Sequence, residues 1–217
     1  IATSLPTLTG TAIMLDVGAN VDCSAQHLAQ FAIMGNEYGK HLFGKPNPRI
    51  GLLSIGEEDG KGNEVTKEAF KLLKASQLNF IGNIEGRDVY SGSADVVVCD
   101  GFIGNVALKI SEGVADTIKK LLVKEISGSF LGRLAYPFIA GPLRNLKKKI
   151  DYAEFGGAPL LGVNGITMIC HGRSSAKAIK NAIRRAKGLA ESRVDELIQR
   201  DIEESFSQAK PTEDRPA

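Results

Sequence analysis

ADVVVCDGFIGN, residues 94–105, is the stretch from which the fold is read. Ala94–Cys99, apolar but for Asp95, lacks alternation and so reads as a strand covered on both faces, as in a parallel sheet. A glycine-containing turn, Asp100–Asn105, leads into a long helical pattern through about Lys124. Val106, Ile110, Val114, Ile118, Leu121 and Leu122 recur at helical spacing and are its expected buried stripe.

The same order of strand, glycine turn and helix recurs on either side. Ala12–Val17 is a strand stopped by Gly18-Ala19-Asn20, and Ser24 is a plausible N-cap for a helix that buries Leu28, Phe31, Ala32, Gly35, Tyr38 and Leu42. Ile50–Ile55 is a strand, Gly56–Asn63 (GEEDGKGN) a loop, and Glu64–Ala75 a helix burying Val65, Ala69, Leu72 and Leu73. Leu78–Ile81 is a further strand. After the glycine-rich 156–165 (GGAPLLGVNG), Ile166–Cys170 is the last strand, and one long helix follows from about Ser174 to Phe206. Ala176, Ile179, Ile183, Ala186, Leu189, Leu197 and Ile202 are its expected inward residues. This alternation predicts an α/β protein with a mostly parallel sheet. A single α/β unit is expected over 1–206, with an apolar, basic insert at 126–150 and a flexible tail at 207–217.

Composition removes other classes. The chain has 217 residues, 43% hydrophobic and 24% charged, with a formal net charge of +2. No run reaches the roughly 20 apolar residues of a membrane span, and the first ten residues lack the basic start and apolar core of a signal peptide. Cys23, Cys99 and Cys170 are far apart and form no zinc-ligand spacing, which argues for a reducing cytosol and no metal site. No aromatic-basic platform suggests nucleic acid.

Ligands of open parallel sheets bind beyond the carboxyl ends of the strands. Three loops there share glycine, an acidic residue and an amide: Asp16–Asn20, Gly56–Asn63 and Asp100–Asn105. Glycine admits close backbone approach, and helix N-termini supply donors to an anion, of which phosphate is the obvious one. A nucleotide P-loop is excluded: Gly56 and Gly60 are separated by three residues, not four, and Gly62, not Ser or Thr, follows Lys61. No dinucleotide fingerprint follows any strand. Lys61 is either a mobile cation at a helix start or a solvated surface lysine.

DVGANVDC, IGLLSIGEEDGKGNEVTKEAFKLL, ADVVVCDGFIGNVALKISEG and YAEFGGAPLLGVNGITMICHGRSSAKAIKNAI occur in this order, and together they resemble the PlsX phosphate acyltransferases over about Thr11 to Ile202. The resemblance implies a three-layer α/β/α fold akin to the isocitrate dehydrogenase and phosphotransacetylase group, in a cytosolic homodimer peripherally attached to membrane. It also implies a further glycine-rich strand-turn segment ahead of this chain. The implied reaction is attack of inorganic phosphate on the thioester of acyl–acyl carrier protein, with no cofactor. In that reading Lys61 brings charge to phosphate and Asn105 donates to the oxyanion. Gly60, Gly62, Gly101, Gly104 and His171 line the substrate site, with Asn20, Asn63 and Asp100 orienting it. Asn105 has an alternative role as helix cap, His171 as a structural hydrogen-bonding group, and Cys99 reads as a small buried hydrophobe more readily than as an acyl-bearing nucleophile. A phosphotransacetylase acting on acyl-coenzyme A and a non-catalytic carrier- or membrane-binding module are the alternatives.

Two basic surfaces complete the reading. Arg173 to Lys187 holds six basic residues and no acidic one. Arg173, Lys177, Lys180, Arg184 and Lys187 fall on one helical stripe, suited to an acidic carrier protein. Within 126–150, Pro142 is placed to open a short helix. Phe138, Ile139, Leu143 and Leu146, beside Lys147 and Lys148, have the composition of a segment at an anionic membrane surface, or of dimer packing.

Overall fold

The computed structural model describes residues 1–150 and 156–208. Five strands form one sheet in the order β1-β2-β5-β3-β4: β1 (Ala2–Thr7), β2 (Gly10–Leu15), β3 (Ile50–Leu53), β4 (Phe80–Ile84) and β5 (Val96–Val98). β5 is central and parallel to both neighbours, with Val98 opposite Leu15 on one side and Leu52 on the other. β4 is parallel to β3, whereas β1 is an antiparallel edge. Pro6 has no N–H to give a ladder, and an edge strand is where that is tolerated. This Thr/Ser/Pro-rich strand has none of the apolar signal of the buried ones, so the sequence does not predict it.

The expected covering of β5 holds. Val96 and Val98 enter one core with α1 (Ala25–Phe43) and α2 (Glu64–Lys74), and Val97 enters the other with Met14, Val17 and Leu5. Gly35 lets α1 sit directly on the sheet, since a Cβ there would stand 2.5 Å from Val96 Cγ1. Ser24 caps α1 as expected, accepting from the His27 amide. The side chain of Leu42 lies outside the described residues. In α2, Phe70 is buried with Ala69 and Leu73, while Leu72 turns out to solvent. The layers are α1 and α2 on one face, the sheet, and α3 (Gly101–Gly128) on the other, an α/β/α arrangement.

Beyond α3 the pattern departs from expectation. Residues 130–150 form one helix, α4 (Phe130–Ile150), continuous through Pro137 and Pro142, so Pro142 opens no separate helix. Part of the 156–165 segment is strand: β6 (Ala158–Leu160) pairs antiparallel with β7 (Thr167–Ile169) in a separate hairpin, and β7 does not join the main sheet. The expected last helix is two, α5 (Ala176–Ser192) and α6 (Val194–Gln208), broken where Arg193 adopts the left-handed conformation at φ 52°. Once the chain folds back there, the inward residues are Ala178, Ala182, Leu189, Val194 and Ile198, and Ile179 and Ile183 face out. The expected stripe of α3 is likewise corrected: Val106, Ile110, Val114, Ile118, Leu121 and Leu122 are exposed, Ile110 at 61%. Their spacing is helical and their chemistry is apolar, but no described element covers them. From residue 209 on, the expected tail lies outside the described residues.

One polar cluster fixes the entry to the central strand. Arg49, just before β3, donates from its backbone N–H (2.9 Å) and from Nε (3.0 Å) to Asp95 Oδ2, and Lys45 pairs with Oδ1. Asp95 donates back from its amide to the Arg49 carbonyl at 2.8 Å. Burial raises the Asp95 pKa, but the bonds from Arg49 and Lys45 outweigh it and hold the carboxyl at about 2. A depressed pKa contributes stability that is complete above the unfolded value of about 4 and is lost as pH falls through the folded one. Asp95→Asn should therefore lower stability by about 1–3 kcal/mol at neutral pH. In denaturant titrations that deficit should shrink between about pH 4 and pH 2.

Candidate active site

The parallel strands all deliver their carboxyl ends to one edge of the sheet, and the three glycine loops lie there. Two are in direct contact. β2 and β5 keep pairing past their last strand residues, Cys99 donating to Leu15 O and Asp16 to Cys99 O, each at 2.9 Å. The Gly101 amide then donates to Asn20 O at 2.8 Å. Gly101 and Gly104 are buried on the first turn of α3. A Cβ on Gly101 would stand 2.6 Å from Asp16 Oδ2, and one on Gly104 would overlap the Asp16 carbonyl oxygen. The glycines assigned to substrate thus have a prior structural duty: they let the helix start touch the Asp16–Asn20 turn.

Asp16, passed over as an individual residue, organises that turn. It is 1% exposed, and its carboxylate accepts from the amides of Ala19 (3.0 Å) and Asn20 (2.6 Å) and from the Ile1 nitrogen (2.7 Å). An acidic residue closing an apolar strand two positions before a glycine was the available signal.

Asp100, not Asn105, caps α3: its Oδ1 accepts from the Ile103 amide at 2.8 Å. The alternative role of Asn105 as a cap is removed. Asn105 is exposed, inside the helix, and faces Gly18, whose Cβ would lie 3.6 Å from the Asn105 Cβ and Cγ. Asn63 does carry a capping role, accepting from the Thr66 amide at 2.9 Å at the start of α2. Cys99 is buried with its Sγ 3.4 Å from the Asp16 carbonyl oxygen. Burial, then the carboxylates of Asp100 and Asp16, push its thiol far up, so it holds no thiolate for nucleophilic attack.

The third loop follows β3, the other neighbour of β5. It is tightened by the Lys61 amide donating to Glu58 O at 3.0 Å and by Asn83 donating to the same carbonyl at 2.9 Å. Gly62 takes a φ of 109° and packs on Thr66, a position where a side chain would be both strained and obstructed. Gly60 and Lys61 project to solvent. His171 stands apart, after β7, its Nε2 3.6 Å from Glu112 Oε1 on α3. Among the described residues no group of three or more His, Cys, Asp or Glu could hold a metal ion.

Arg173, Lys177, Lys180, Arg184 and Lys187 are all exposed, on and just before α5. Lys187 is 3.6 Å from Glu191, so the stripe is partly compensated in its last turn. Ile179 and Ile183 lie exposed among these cations. On α4, Phe138 is 84% exposed, Ile139 and Leu146 are exposed and Leu143 half-buried, while the side chains of Lys147 and Lys148 lie outside the described residues.

Residues 1–197 match a family model described as "Fatty acid synthesis protein". The chain belongs to that family. It is 56% identical over 97% of its length to a phosphate acyltransferase of Thermodesulfovibrio yellowstonii, and 54% identical over 97% to one of Trichlorobacter lovleyi. A phosphate acyltransferase of Citrifermentans bemidjiense is 52% identical over the whole chain. The chain spans about three fifths of these curated relatives: 60%, 61% and 62% of their lengths. The resemblance read from the four motifs is borne out by this family membership.

Within this family member the contacts separate structural from chemical duties on α3. Gly104→Ala should destabilise the fold by about 3 kcal/mol or more, because backbone must move. Asp100→Ala should cost about 1 kcal/mol as a lost cap. Asn105→Ala should cost under about 0.5 kcal/mol, since the residue is exposed and caps nothing. Urea unfolding of the three variants checks the ranking.

Proposed function

We propose that this chain carries the acyl-transfer site of a phosphate acyltransferase, which moves a fatty acyl group from acyl carrier protein to inorganic phosphate. The observation that carries the reading is Asn105. It projects from the first turns of α3 beside the Asp16–Asn20 turn, at the ligand edge of a parallel sheet, with helix capping left to Asp100. The names of the relatives give the same direction.

A phosphate oxygen attacks the thioester carbonyl carbon, a C–O bond forms, and charge collects on the carbonyl oxygen. The tetrahedral intermediate then collapses with cleavage of the C–S bond. The thiolate of the carrier leaves with the electron pair, giving acyl phosphate. Thiolate is a good leaving group, so the protein's task is to hold phosphate and stabilise the oxyanion. Asn105 Nδ2 supplies the donor to the oxyanion. Lys61, exposed on its glycine loop, supplies charge to phosphate, with Gly60 and Gly62 allowing backbone approach. Asn20 and Gly101 shape the turn that receives the acyl carbonyl. Asn63 and Asp100 act by fixing the two helix starts, and His171 belongs to the wall of the site and not to its centre.

The exposed face of α5 suits an acidic carrier, because Ile179 and Ile183 offer apolar contact between Lys180, Arg184 and their neighbours. The protruding apolar residues of α4 suit peripheral attachment to an anionic membrane. Among the described residues no helix is long and apolar enough to cross one. A second copy of the chain would cover the face of α3 that carries Val106 and Ile110.

In the full-length protein, Asn105→Ala should lower kcat for acyl transfer to phosphate by about a hundredfold or more at unchanged stability. Lys61→Ala should raise the KM for phosphate and spare that for the acyl carrier. Reversing Lys177, Lys180 and Arg184 to Glu should raise the KM for acyl carrier protein, remove its salt dependence, and spare a small thioester. If Asn105→Ala transfers acyl groups at the parent rate, the assignment fails. Leu143 and Leu146 changed to Glu should abolish sedimentation with anionic vesicles while transfer in solution persists; loss of folding instead would place α4 against protein.

A further inference from the structure

Two buried polar atoms at the ligand edge of the sheet have no hydrogen-bond partner among the described residues: Ser54 Oγ and Asn83 Oδ1. Ser54 directly follows β3, and Asn83 is the last residue but one of β4. Leu52 stands opposite Asn83 in the parallel ladder, and Ser54 lies two residues beyond Leu52. All three therefore point to the face that α2 covers. Asn83 is only 5% exposed, and its amide orientation is fixed, because Nδ2 donates to the Glu58 carbonyl, which can only accept. The atom left over is an acceptor that wants a donor.

Ser54 faces the start of α2: a Cβ on Gly62 would overlap Thr66 Oγ1 and stand 3.1 Å from Ser54 Oγ. Asn63 takes the Thr66 amide, and the earlier amides of that turn, on Glu64 and Val65, have no carbonyl inside the helix to bond. A hydroxyl, an orphaned amide oxygen and a helix start thus meet under one glycine loop, with Lys61 exposed at its rim. The loop's carboxylates do not bar an anion. Glu57 is 3.3 Å from Arg87 Nη2, Asp59 is 2.7 Å from Lys74 Nζ, and Glu58 folds back over Gly56 beside the stem of Lys61. Both ion pairs are exposed and hold the loop lightly. An unpaired buried polar atom is costly, and the fold bears that cost twice beneath this one loop.

We propose that Ser54 and Asn83 form the seat of the substrate phosphate, with Asn83 Oδ1 accepting its O–H and so selecting hydrogen phosphate over sulfate. The proposal rests on the acyl-transfer reading and adds two binding residues and the basis of anion choice. The donor set decides the occupant. An anion here accepts from the Ser54 hydroxyl, the first amides of α2 and Lys61, and must also donate to Asn83. Hydrogen phosphate keeps an O–H at neutral pH, whereas sulfate has none. Both atoms are sealed under Gly56–Asn63, so the anion enters as that lightly held loop shifts outward. With its O–H held at Asn83, phosphate presents an unprotonated oxygen to the thioester.

Calorimetric titration of the full-length protein with inorganic phosphate, arsenate and sulfate, without an acyl donor, tests the seat apart from catalysis. Phosphate and arsenate, which both keep an O–H, should bind comparably, and sulfate at least about a hundredfold more weakly. Asn83→Ala should reduce that preference to under about tenfold, a change that loss of its bond to the Glu58 carbonyl does not produce. Ser54→Ala should weaken phosphate binding, and raise the KM for phosphate, about tenfold or more. Its Tm should not fall, since the hydroxyl it removes is unpaired in the free protein, so this variant keeps the test open if Asn83→Ala does not fold. Sulfate binding as tightly as phosphate, no phosphate binding at all, or parent-like phosphate binding in Ser54→Ala overturns the proposal. Selective phosphate binding without any acyl transfer would sink the functional reading and leave the seat; acyl transfer with a parent-like KM for phosphate in Ser54→Ala would sink the seat alone.

Discussion

The close approach of the α3 backbone to the Asp16–Asn20 turn is the constraint on which the candidate site depends. Gly104 sits against the Asp16 carbonyl and Gly101 against Asn20, so no side chain separates helix from turn. The carboxylate of Asp16 holds the turn from within by accepting backbone amides, which meets the demand that a buried charge be hydrogen-bonded. β2 and β5 are adjacent and parallel, so the two loops that follow them could hardly avoid each other. Glycine makes that meeting a contact and not a clash. Asn105 then stands one turn along a helix whose start is fixed from two directions, so its position is set by the fold itself.

The buried strands are legible in the sequence because burial on both faces leaves an unmistakable apolar run, as at Val96–Val98. The positions of the loops follow from them. β1 is not legible, because an edge strand of Thr, Ser and Pro carries no periodic apolar signal. Leu72, Ile179 and Ile183 show a second limit. Apolar spacing identifies a helix, but three-residue and four-residue steps leave the orientation of its face open by a turn of the wheel, and packing against the sheet decides it.

The stripe on α3 shows a third limit. Val106, Ile110, Val114, Ile118, Leu121 and Leu122 have the period of a core face, and periodicity reports that a face is apolar without reporting what covers it. At the site, the glycines, Asp100 and Asn105 were visible as a motif. Their division of labour was not, since capping by Asp100 and organisation by Asp16 are matters of a few hydrogen bonds whose geometry no spacing encodes.

Arg193 has an effect larger than one residue. By turning the backbone left-handed it splits what reads as a single helix and lays its halves beside different neighbours. The first half carries Lys177, Lys180, Arg184, Arg185 and Lys187. The second carries Asp195, Glu196, Asp201, Glu203 and Glu204 against Arg200. A chain of net charge +2 therefore keeps charges of opposite sign on successive helices, with Glu191 the one acidic residue on the first. Segregated charge of this kind gives a molecule a preferred orientation in the field of another charged body.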